Sequence, residues 1–251
     1  MILTIDIGNT CTKLVAFEGD EIVESLRIED NDWTSFLEFV DRFPFTEAIY
    51  SSVIKLDAQA LAVFDGLSFP VTRLISGVTP IPVENQYVTP YTLGTDRLAA
   101  AIGAYFQKKG SPLLIIDIGT CITYDFVSES GSYLGGNISP GVAMRLKALP
   151  HFTSSLPLVE EIGELTDIGK TTELAIRNGV IHGVEYEIHG YVRRYLLKYP
   201  NLLVYLTGGG QLNLHISEKN STFADDYLVS RGLNYILRYQ HQLNNTTENG
   251  K

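Results

Sequence analysis

The feature that most constrains this chain is an apolar stretch that ends in Asp-x-Gly, and it occurs twice. The first copy is Leu3–Thr10 and the second is Leu114–Thr120, with Asp117 lying 111 positions after Asp6. The apolar residues predict a buried β-strand, and the glycine with its small polar neighbours predicts a tight turn. Backbone N–H groups of such a turn suit phosphate oxygens, while the aspartate suits a cation. The chain is therefore expected to hold the phosphates of a ligand, such as a nucleotide, on two loops.

The sequence after each copy also repeats, which predicts a duplicated fold. Each copy is followed by a second strand, a turn at Gly19-Asp20 or Ser130-Gly131, and a third strand. Helices and strands then alternate in both parts of the chain. We therefore predict an α/β fold made of two similar halves, 1–110 and 111–251, with a ligand cleft between them. A chance match between two isoleucine-rich runs would explain the two stretches but not the repeated turns.

Charge and composition argue against several classes of protein. Lys and Arg total 19 against 29 Asp and Glu, which gives a net charge of −10, and no basic stripe offsets it. A nucleic-acid partner is not expected, because phosphate backbones require clustered positive charge. No apolar run approaches the ~18 residues of a membrane span, and no charged leader segment opens the chain, so we expect a cytoplasmic protein. Cys11 and Cys121 are then expected to be reduced, although their spacing alone leaves a disulfide open.

The periodicity of apolar residues predicts the order of helices and strands. Strands are predicted at 1–8, 12–17, 21–28, 48–53, 71–75, 113–117, 121–127, 132–138 and 202–206. Helices are predicted at 33–43, 58–64, 95–108, 142–149, 172–198 and 233–241, with one more after residue 210. Segment 80–90, which contains three prolines, and segment 151–166 are predicted to be loops.

Two further features could complete a nucleotide site. Lys13, on the strand after the first loop, could add positive charge beside the phosphates, although a solvated surface lysine is an equally good interpretation. Gly208-Gly209-Gly210 follows an apolar strand and could let an adenosine group lie against bare backbone. Glycine turns after strands are common, so this motif gains meaning only beside the two phosphate loops.

A fourth motif, Gly94-Thr95-Asp96-Arg97, opens a predicted helix after the proline-containing loop. Asp96 could orient and deprotonate an attacking hydroxyl group, and Arg97 could bind an anionic substrate. Equally, Asp96 could stabilise only the helix N-terminus, and Arg97 could pair with a carboxylate. The residues themselves leave both interpretations open.

Two other patterns do not support a site. Gly169-Lys170-Thr171 looks like the end of a P-loop, but the glycine required five positions earlier is Glu164, and no apolar strand precedes it. His182 and His189 share a predicted helix without ligand partners at useful spacing, so a histidine metal site is not expected.

Taken together, the motifs resemble the type III pantothenate kinases, which belong to the superfamily of acetate and sugar kinases, actin and chaperone ATPases. The Asp-x-Gly loops alone would indicate only this superfamily. The Gly-x-Asp-Arg block at its spacing, the short chain and the missing lid insertions indicate the type III enzymes. The resemblance covers nearly the whole chain and rests on Asp6–Thr10, Ser51–Val53, Gly94–Leu98, Asp117–Thr120, Gly135-Gly136 with Pro140-Gly141, Gly169 with Thr172 and Ala175-Ile176, Thr207–Gly209 and Arg231–Leu233.

The resemblance implies a duplicated actin-like ATPase fold, of the ribonuclease H-like type, and a homodimeric kinase that phosphorylates pantothenate with ATP, the first step of coenzyme A biosynthesis. It implies Mg²⁺ near Asp6, a monovalent cation (K⁺ or NH₄⁺) at Asp117, and Asp96 as proton acceptor. ATP contacts are implied for Asp6, Ile7, Gly8, Asn9, Thr10, Cys11, Thr12, Lys13, Thr120, Gly208 and Gly209. Pantothenate contacts are implied for Tyr87, Gly94, Thr95, Asp96, Arg97 and, near the dimer interface, Thr172.

The chain departs from the family pattern at the adenosine turn, where a third glycine, Gly210, is followed by Gln211. This leaves the contacts with the base open. Two alternative functions are a non-catalytic nucleotide-binding regulator and a kinase of the same fold that acts on a sugar or another small alcohol. The presence of every chemistry-bearing position argues against the regulator, whereas only the acceptor pocket would distinguish the other kinase.

Overall fold

The computed structural model describes residues 1–29, 32–209 and 222–248, and its first sheet contains the first repeat. Its strand order is β3-β2-β1-β4-β5. The first three strands form the predicted antiparallel meander, and the last two pair in parallel through helical crossovers. The strands are β1 (Ile2–Ile7), β2 (Cys11–Glu18), β3 (Glu21–Glu29), β4 (Glu47–Ser52) and β5 (Val71–Arg73); the helices are α1 (Trp33–Asp41) and α2 (Ala58–Asp65).

The second sheet repeats this strand order and adds one strand. Its order is β11-β10-β7-β8-β9-β6, so that β7 to β11 take the places of β1 to β5. In both sheets the central strand pairs in parallel with the fourth strand of the repeat. The prediction of a duplicated α/β fold is therefore confirmed. The strands are β6 (Glu84–Asn85), β7 (Leu113–Ile118), β8 (Cys121–Val127), β9 (Ser132–Pro140), β10 (Leu203–Thr207) and β11 (Thr222–Ala224).

The added strand β6 corrects one prediction. Segment 80–90 was predicted to be loop because of its prolines, yet Glu84 and Asn85 pair in parallel with Ser132 and Tyr133. A two-residue strand between prolines has no alternation to detect, and only the distant partner strand stabilises it.

The remaining helices follow the predicted order with one shifted start. They are α3 (Thr95–Gln107), α4 (Val142–Phe152), α5 (Thr172–Lys198) and α6 (Leu228–Glu248), besides a 3-10 turn at Pro90–Thr92. The bounds of α5 are those predicted, and Thr171 caps it by accepting a hydrogen bond from the Leu174 N–H at 3.2 Å. The segment of the helix predicted after residue 210 lies outside the described residues. Within the described ranges, no helix combines the length and the apolar character that a membrane crossing requires.

The chain divides into two compact units. Unit 1 contains 1–110, 126–135 and the described residues from Tyr227 onward, and unit 2 contains 111–125 and 136–226. The chain first leaves unit 1 after residue 110, which is the predicted boundary between the halves. It then re-enters unit 1 at residue 126 and again at Tyr227. The halves 1–110 and 111–251 describe a sequence repeat rather than this packing, and they stay a prediction.

The core of unit 1 forms around β1 and supports the first loop. Leu3 and Ile5 of β1 are fully buried against Phe36 and Phe39 of α1. Helix α1 begins at Asp32, whose carboxylate accepts a hydrogen bond from the Ser35 N–H at 3.1 Å. Apolar burial of this face of β1 therefore holds the strand in place, and the Asp-x-Gly turn projects from its end.

Helix α6 starts at Leu228, five residues before the predicted start at Leu233, because Gly232 does not interrupt it. A Cβ at Gly232 would overlap the carbonyl oxygen of Ala99 in α3, and one at Gly103 of α3 would overlap that of Leu228. The two glycines thus allow the backbones of α3 and α6 to approach closely. Gly232 is therefore a packing residue inside the helix.

Gly232→Ala is expected to destabilise the protein by about 2–3 kcal/mol, because α3 and α6 must separate to admit the methyl group. The melting temperature should fall by roughly 5–10 °C in thermal denaturation. Gly190→Ala is the matched control, since a Cβ at this position in α5 meets no atom within 4 Å. The control should leave stability unchanged or slightly raised. Equal melting temperatures for Gly232→Ala and the wild type would contradict the packing role.

Candidate active site

Asp6 lies near the end of β1, and the neighbouring strands orient its carboxylate. In the sheet it pairs with Lys13 of β2 on one side and with Ser51 of β4 on the other. Ser51 is fully buried, and its hydroxyl donates a hydrogen bond to Asp6 Oδ1 at 2.9 Å. Ser51 belongs to a motif of the family resemblance, Ser51–Val53, but the sequence alone did not predict this role. A serine opposite an aspartate at the ends of parallel strands was the available signal.

The electrostatic environment of Asp6 is unusual for a carboxylate. Burial raises its pKa from the ordinary 3.8 to about 6, and repulsion from Asp96 adds to the rise. The hydrogen bond from Ser51 and the ammonium group of Lys13 act in the opposite direction. The carboxylates of Asp6 and Asp96 and the ammonium group of Lys13 therefore interact in unit 1. A bound cation would stabilise the two carboxylates, and a phosphate would pair with the ammonium group.

A magnesium ion fits these residues as a partner of bound phosphate. Among the described residues, no group of three or more His, Cys, Asp or Glu side chains could hold a metal by itself. Mg²⁺ commonly takes one or two carboxylates and completes its shell with phosphate oxygens and water. Asp6 has a carboxylate that burial and Asp96 destabilise, and a cation beside it would relieve this cost.

Both Asp-x-Gly turns are closed by the same backbone hydrogen bond. Gly8 N–H donates to the Cys11 carbonyl at 3.0 Å, and Gly119 N–H donates to the Cys121 carbonyl at 2.9 Å, so the second turn is one residue shorter. The turn residues Asn9, Thr10 and Thr120 are exposed, as phosphate contacts require. The side chains of Ile7 and Thr12 are buried, at 2% and 7% exposed, so these two residues can offer a ligand only backbone groups.

In unit 2 the structure brings Asp117 and Gly208 together. Asp117 pairs with Thr207 of β10, and the next residue, Gly208, has a φ of +100°. A Cβ at Gly208 would overlap the Ile118 carbonyl and lie 2.5 Å from Asp117 Oδ1. Only glycine permits this approach, so the predicted adenosine turn lies directly against the predicted cation ligand. Gly209 is exposed, whereas Gly210 and Gln211 lie outside the described residues.

The Gly94–Arg97 motif forms the first turn of α3 in unit 1. A Cβ on Gly94 would lie 2.5 Å from Asp96 Oδ1, so the carboxylate folds back over this glycine. Arg97 is only 6% exposed. The Thr95 hydroxyl is buried and has no hydrogen-bond partner among the described residues. An unpaired buried hydroxyl costs about 1–3 kcal/mol, and a bound polar ligand could supply the missing partner.

Strand β6 positions Tyr87 beside this motif. The Gln86 N–H donates to the Tyr133 carbonyl at 2.9 Å, and the Tyr87 N–H donates to Asn85 Oδ1 at 3.0 Å. The guanidinium carbon of Arg97 lies 6.0 Å from the centroid of the Tyr87 ring. The structure thus brings together Tyr87 and Arg97, two residues that the resemblance assigns to the acceptor. Thr172, the exposed first residue of α5, belongs to unit 2, and its contact stays a prediction.

Two sheets of the same strand order, each with an Asp-x-Gly turn after its central strand, define the actin-like ATPase and sugar kinase fold. An example is the activator of the 2-hydroxyisocaproyl-CoA dehydratase from Clostridium difficile, solved with bound ADPNP. Its TM-score is 0.53 at 13% identity, covering 98% of this chain and 97% of that one. A likeness at this identity shows the fold alone.

Closer relatives identify the family. A family model described as type III pantothenate kinase matches residues 2–194. The chain is 48% identical over 241 residues to the type III pantothenate kinase of Bacteroides fragilis, covering 96% of this chain and 99% of that protein. It is 46% identical over 243 residues to that of Phocaeicola vulgatus, covering 97% and 100%. The chain therefore belongs to the type III pantothenate kinase family, and the resemblance drawn from the sequence is confirmed.

Proposed function

We propose that the protein transfers the γ-phosphoryl group of ATP to the terminal hydroxyl of pantothenate, forming 4′-phosphopantothenate and ADP in the first step of coenzyme A biosynthesis. The observation that carries the proposal is the electrostatic interaction between Asp96, at the start of α3, and Asp6, at the phosphate loop. Phosphoryl transfer to an alcohol requires a group that accepts the hydroxyl proton close to the bound phosphates. Membership of the family adds the identity of the acceptor.

Asp96 is the proposed catalytic residue. Its carboxylate accepts the proton of the acceptor hydroxyl while the hydroxyl oxygen forms a bond to the γ-phosphorus and the bond to ADP breaks. The orphan Thr95 hydroxyl would hydrogen-bond the acceptor, and the buried Arg97 guanidinium would bind the pantothenate carboxylate. Tyr87 covers Arg97 on one side, which supports a role for both in orienting the acceptor.

The two turns are the proposed ATP contacts. Backbone N–H groups of Asn9–Cys11 and the Lys13 ammonium would bind phosphate oxygens, and Asp6 would hold the Mg²⁺ that accompanies them. A bound Mg²⁺ would neutralise part of the negative charge of the phosphates. Thr120 would contact the phosphates from the second turn, Asp117 would bind K⁺ or NH₄⁺, and the Gly208-Gly209 turn would contact adenosine.

We further propose a cytoplasmic homodimer. Unit 2 presents large apolar side chains to solvent, among them Ile162 at 85%, Leu197 at 83% and Ile168 at 76% exposed. Apolar surface of this kind is commonly covered in an assembly. Cys11 and Cys121 are both free thiols, which fits a reducing compartment.

The test is ADP release by the purified protein with ATP, Mg²⁺ and pantothenate, in potassium, ammonium or sodium buffer. We expect one ADP for each pantothenate consumed, at a rate that rises with K⁺ or NH₄⁺. A panel of other small alcohols should be inactive, which separates the proposal from a kinase of another acceptor. Tight ATP binding without turnover on any acceptor would overturn the proposal in favour of a regulator.

Arg97→Lys is expected to raise the KM for pantothenate at least about tenfold, because lysine loses the planar donor pair that matches a carboxylate. The KM for ATP should stay within about twofold, since Arg97 is not placed at the phosphates. Steady-state kinetics with each substrate varied in turn provide the measurement. Arg27→Lys, on an exposed position of β3, is the matched control and should change neither constant. An unchanged KM for pantothenate in Arg97→Lys would remove Arg97 from the acceptor site.

A further inference from the structure

Tyr227, the residue immediately before α6, has a side chain held at both its polar end and its ring. Its hydroxyl lies 3.0 Å from the Ser25 Oγ of β3. The Nζ atom of Lys13, on β2, lies 5.5 Å from the centroid of its ring. A cation at this distance from an aromatic face is attracted by the ring's negative face. Tyr227 therefore links the start of α6 to the lysine of the phosphate loop.

Helix α6, which follows Tyr227, is attached to the hairpin of β2 and β3. In α6, Leu228 and Leu233 are fully buried. Asn234 donates a hydrogen bond to the Gly19 carbonyl at 2.8 Å, and Arg238 forms an ion pair with Asp20. Both contacts attach α6 to the turn between β2 and β3. The Tyr227 ring thus approaches β2 from a helix that the same hairpin holds in place.

The position of the Lys13 ammonium matters for the phosphate site. Lys13 pairs with Asp6 in the sheet register, and its positive charge lowers the pKa of Asp6, so the two charged groups interact. A lysine side chain has several rotatable bonds, and fixing it costs rotamer entropy. A contact that restricts the side chain before the nucleotide binds reduces this cost at the time of binding.

We infer that Tyr227 is a positioning residue that holds the Lys13 ammonium group toward the triphosphate-binding turn, with the Ser25 hydroxyl setting the orientation of its ring. The assignment rests on the proposed kinase function, because Lys13 acts there on ATP. Tyr227 itself contacts neither substrate in this account. Its effect should therefore appear in nucleotide binding and should vanish when the lysine is replaced by a neutral side chain.

The test measures the Kd for Mg-ATP by calorimetry and the KM for ATP in the ADP-release assay. Tyr227→Leu, which removes the aromatic face, is expected to raise both constants about three- to fivefold. Tyr227→Phe keeps the face and should stay within about twofold of wild type. In the Lys13→Met background, Tyr227→Leu should change the constants by less than about 1.5-fold. The KM for pantothenate should be constant throughout.

The outcomes separate this inference from the proposed function. Equal effects of Tyr227→Leu in the wild-type and Lys13→Met backgrounds would show a merely structural role and overturn the inference. Wild-type ATP affinity in Lys13→Met would overturn it as well. Failure of the wild type to phosphorylate pantothenate would instead overturn the proposed function, while the calorimetric comparison would still test Tyr227. If Tyr227→Leu does not fold, Tyr227→Met gives a flexible side chain without an aromatic face, and the same comparison decides.

Discussion

Replacing Asp96 with asparagine is expected to lower kcat by about 10³-fold, because the amide cannot accept the proton of the acceptor hydroxyl. Asparagine has nearly the same shape and can still stabilise the start of α3, so the fold should be retained. Removing the negative charge also relieves the repulsion that Asp96 exerts on Asp6. The Kd for Mg-ATP should therefore stay the same or decrease slightly. The measurements are ADP release at saturating substrates and nucleotide calorimetry.

Asp57→Asn provides the matched control for this variant. Asp57 caps α2 by accepting a hydrogen bond from the Ala60 N–H at 2.7 Å, and asparagine caps helices about as well. The control should have wild-type turnover and stability. A kcat for Asp96→Asn within tenfold of wild type would contradict the assignment of Asp96 as the base. A large loss of ATP affinity would show instead that Asp96 acts on the nucleotide side.

Asp6→Asn is expected to stabilise the ligand-free protein while removing its activity. The pKa of Asp6 rises from 3.8 in the unfolded chain to about 6 in the folded protein, so folding favours the protonated form. The folded protein therefore loses stability as the pH rises from 3.8 through about 6, and remains at the lower level above it. The full shift corresponds to at most roughly 3 kcal/mol, and partial exposure of Asp6 reduces the expected gain in Asp6→Asn to about 1–2 kcal/mol at pH 8.

Thermal denaturation at pH 4.5 and pH 8 measures this effect. At pH 8 the variant should melt about 2–8 °C above wild type, and at pH 4.5 the difference should shrink to roughly a third of that value, because most of the loss of stability develops between pH 4.5 and about 6. With Mg-ATP the order should reverse, because only the wild type retains the metal-side carboxylate, and kcat/KM for ATP should fall at least about 100-fold in the variant. Glu38→Gln, on the exposed face of α1, is the control and should leave stability unaffected at both pH values. If Asp6→Asn were less stable than wild type at pH 8, the conclusion that burial destabilises the Asp6 carboxylate would be wrong.

Local sequence patterns correctly predicted the parts of the fold that contacts between nearby residues determine. The two Asp-x-Gly turns follow buried strands, and each is closed by one backbone hydrogen bond within four residues, at Gly8 and Gly119. The bounds of α5 were predicted correctly because Thr171 supplies a capping side chain and apolar residues recur at helical spacing. The repeated strand order follows from the same patterns occurring twice.

The parts that escaped prediction depend on distant partners. Strand β6 exists only through its pairing with β9, and this pairing is what brings Tyr87 to Arg97. The early start of α6 depends on the close approach of Gly232 to α3, which no local signal reveals. The contacts from Ser51 to Asp6 and from Tyr227 to Lys13 likewise join segments far apart in the chain. The family resemblance named residues that are proposed to contact ligands, but it gave no role to the residues that orient them.

Mass spectrometry of a reaction mixture of purified protein, ATP, Mg²⁺, K⁺ and pantothenate tests the phosphorylation of pantothenate most directly. We expect a product heavier than pantothenate by one phosphoryl group, with fragments that place this group on the terminal hydroxyl, formed in equal amount to ADP. The same mixture with Asp96→Asn should contain ATP and pantothenate essentially unchanged. Absence of the phosphorylated product with the wild type, or ADP formed without it, would contradict the account.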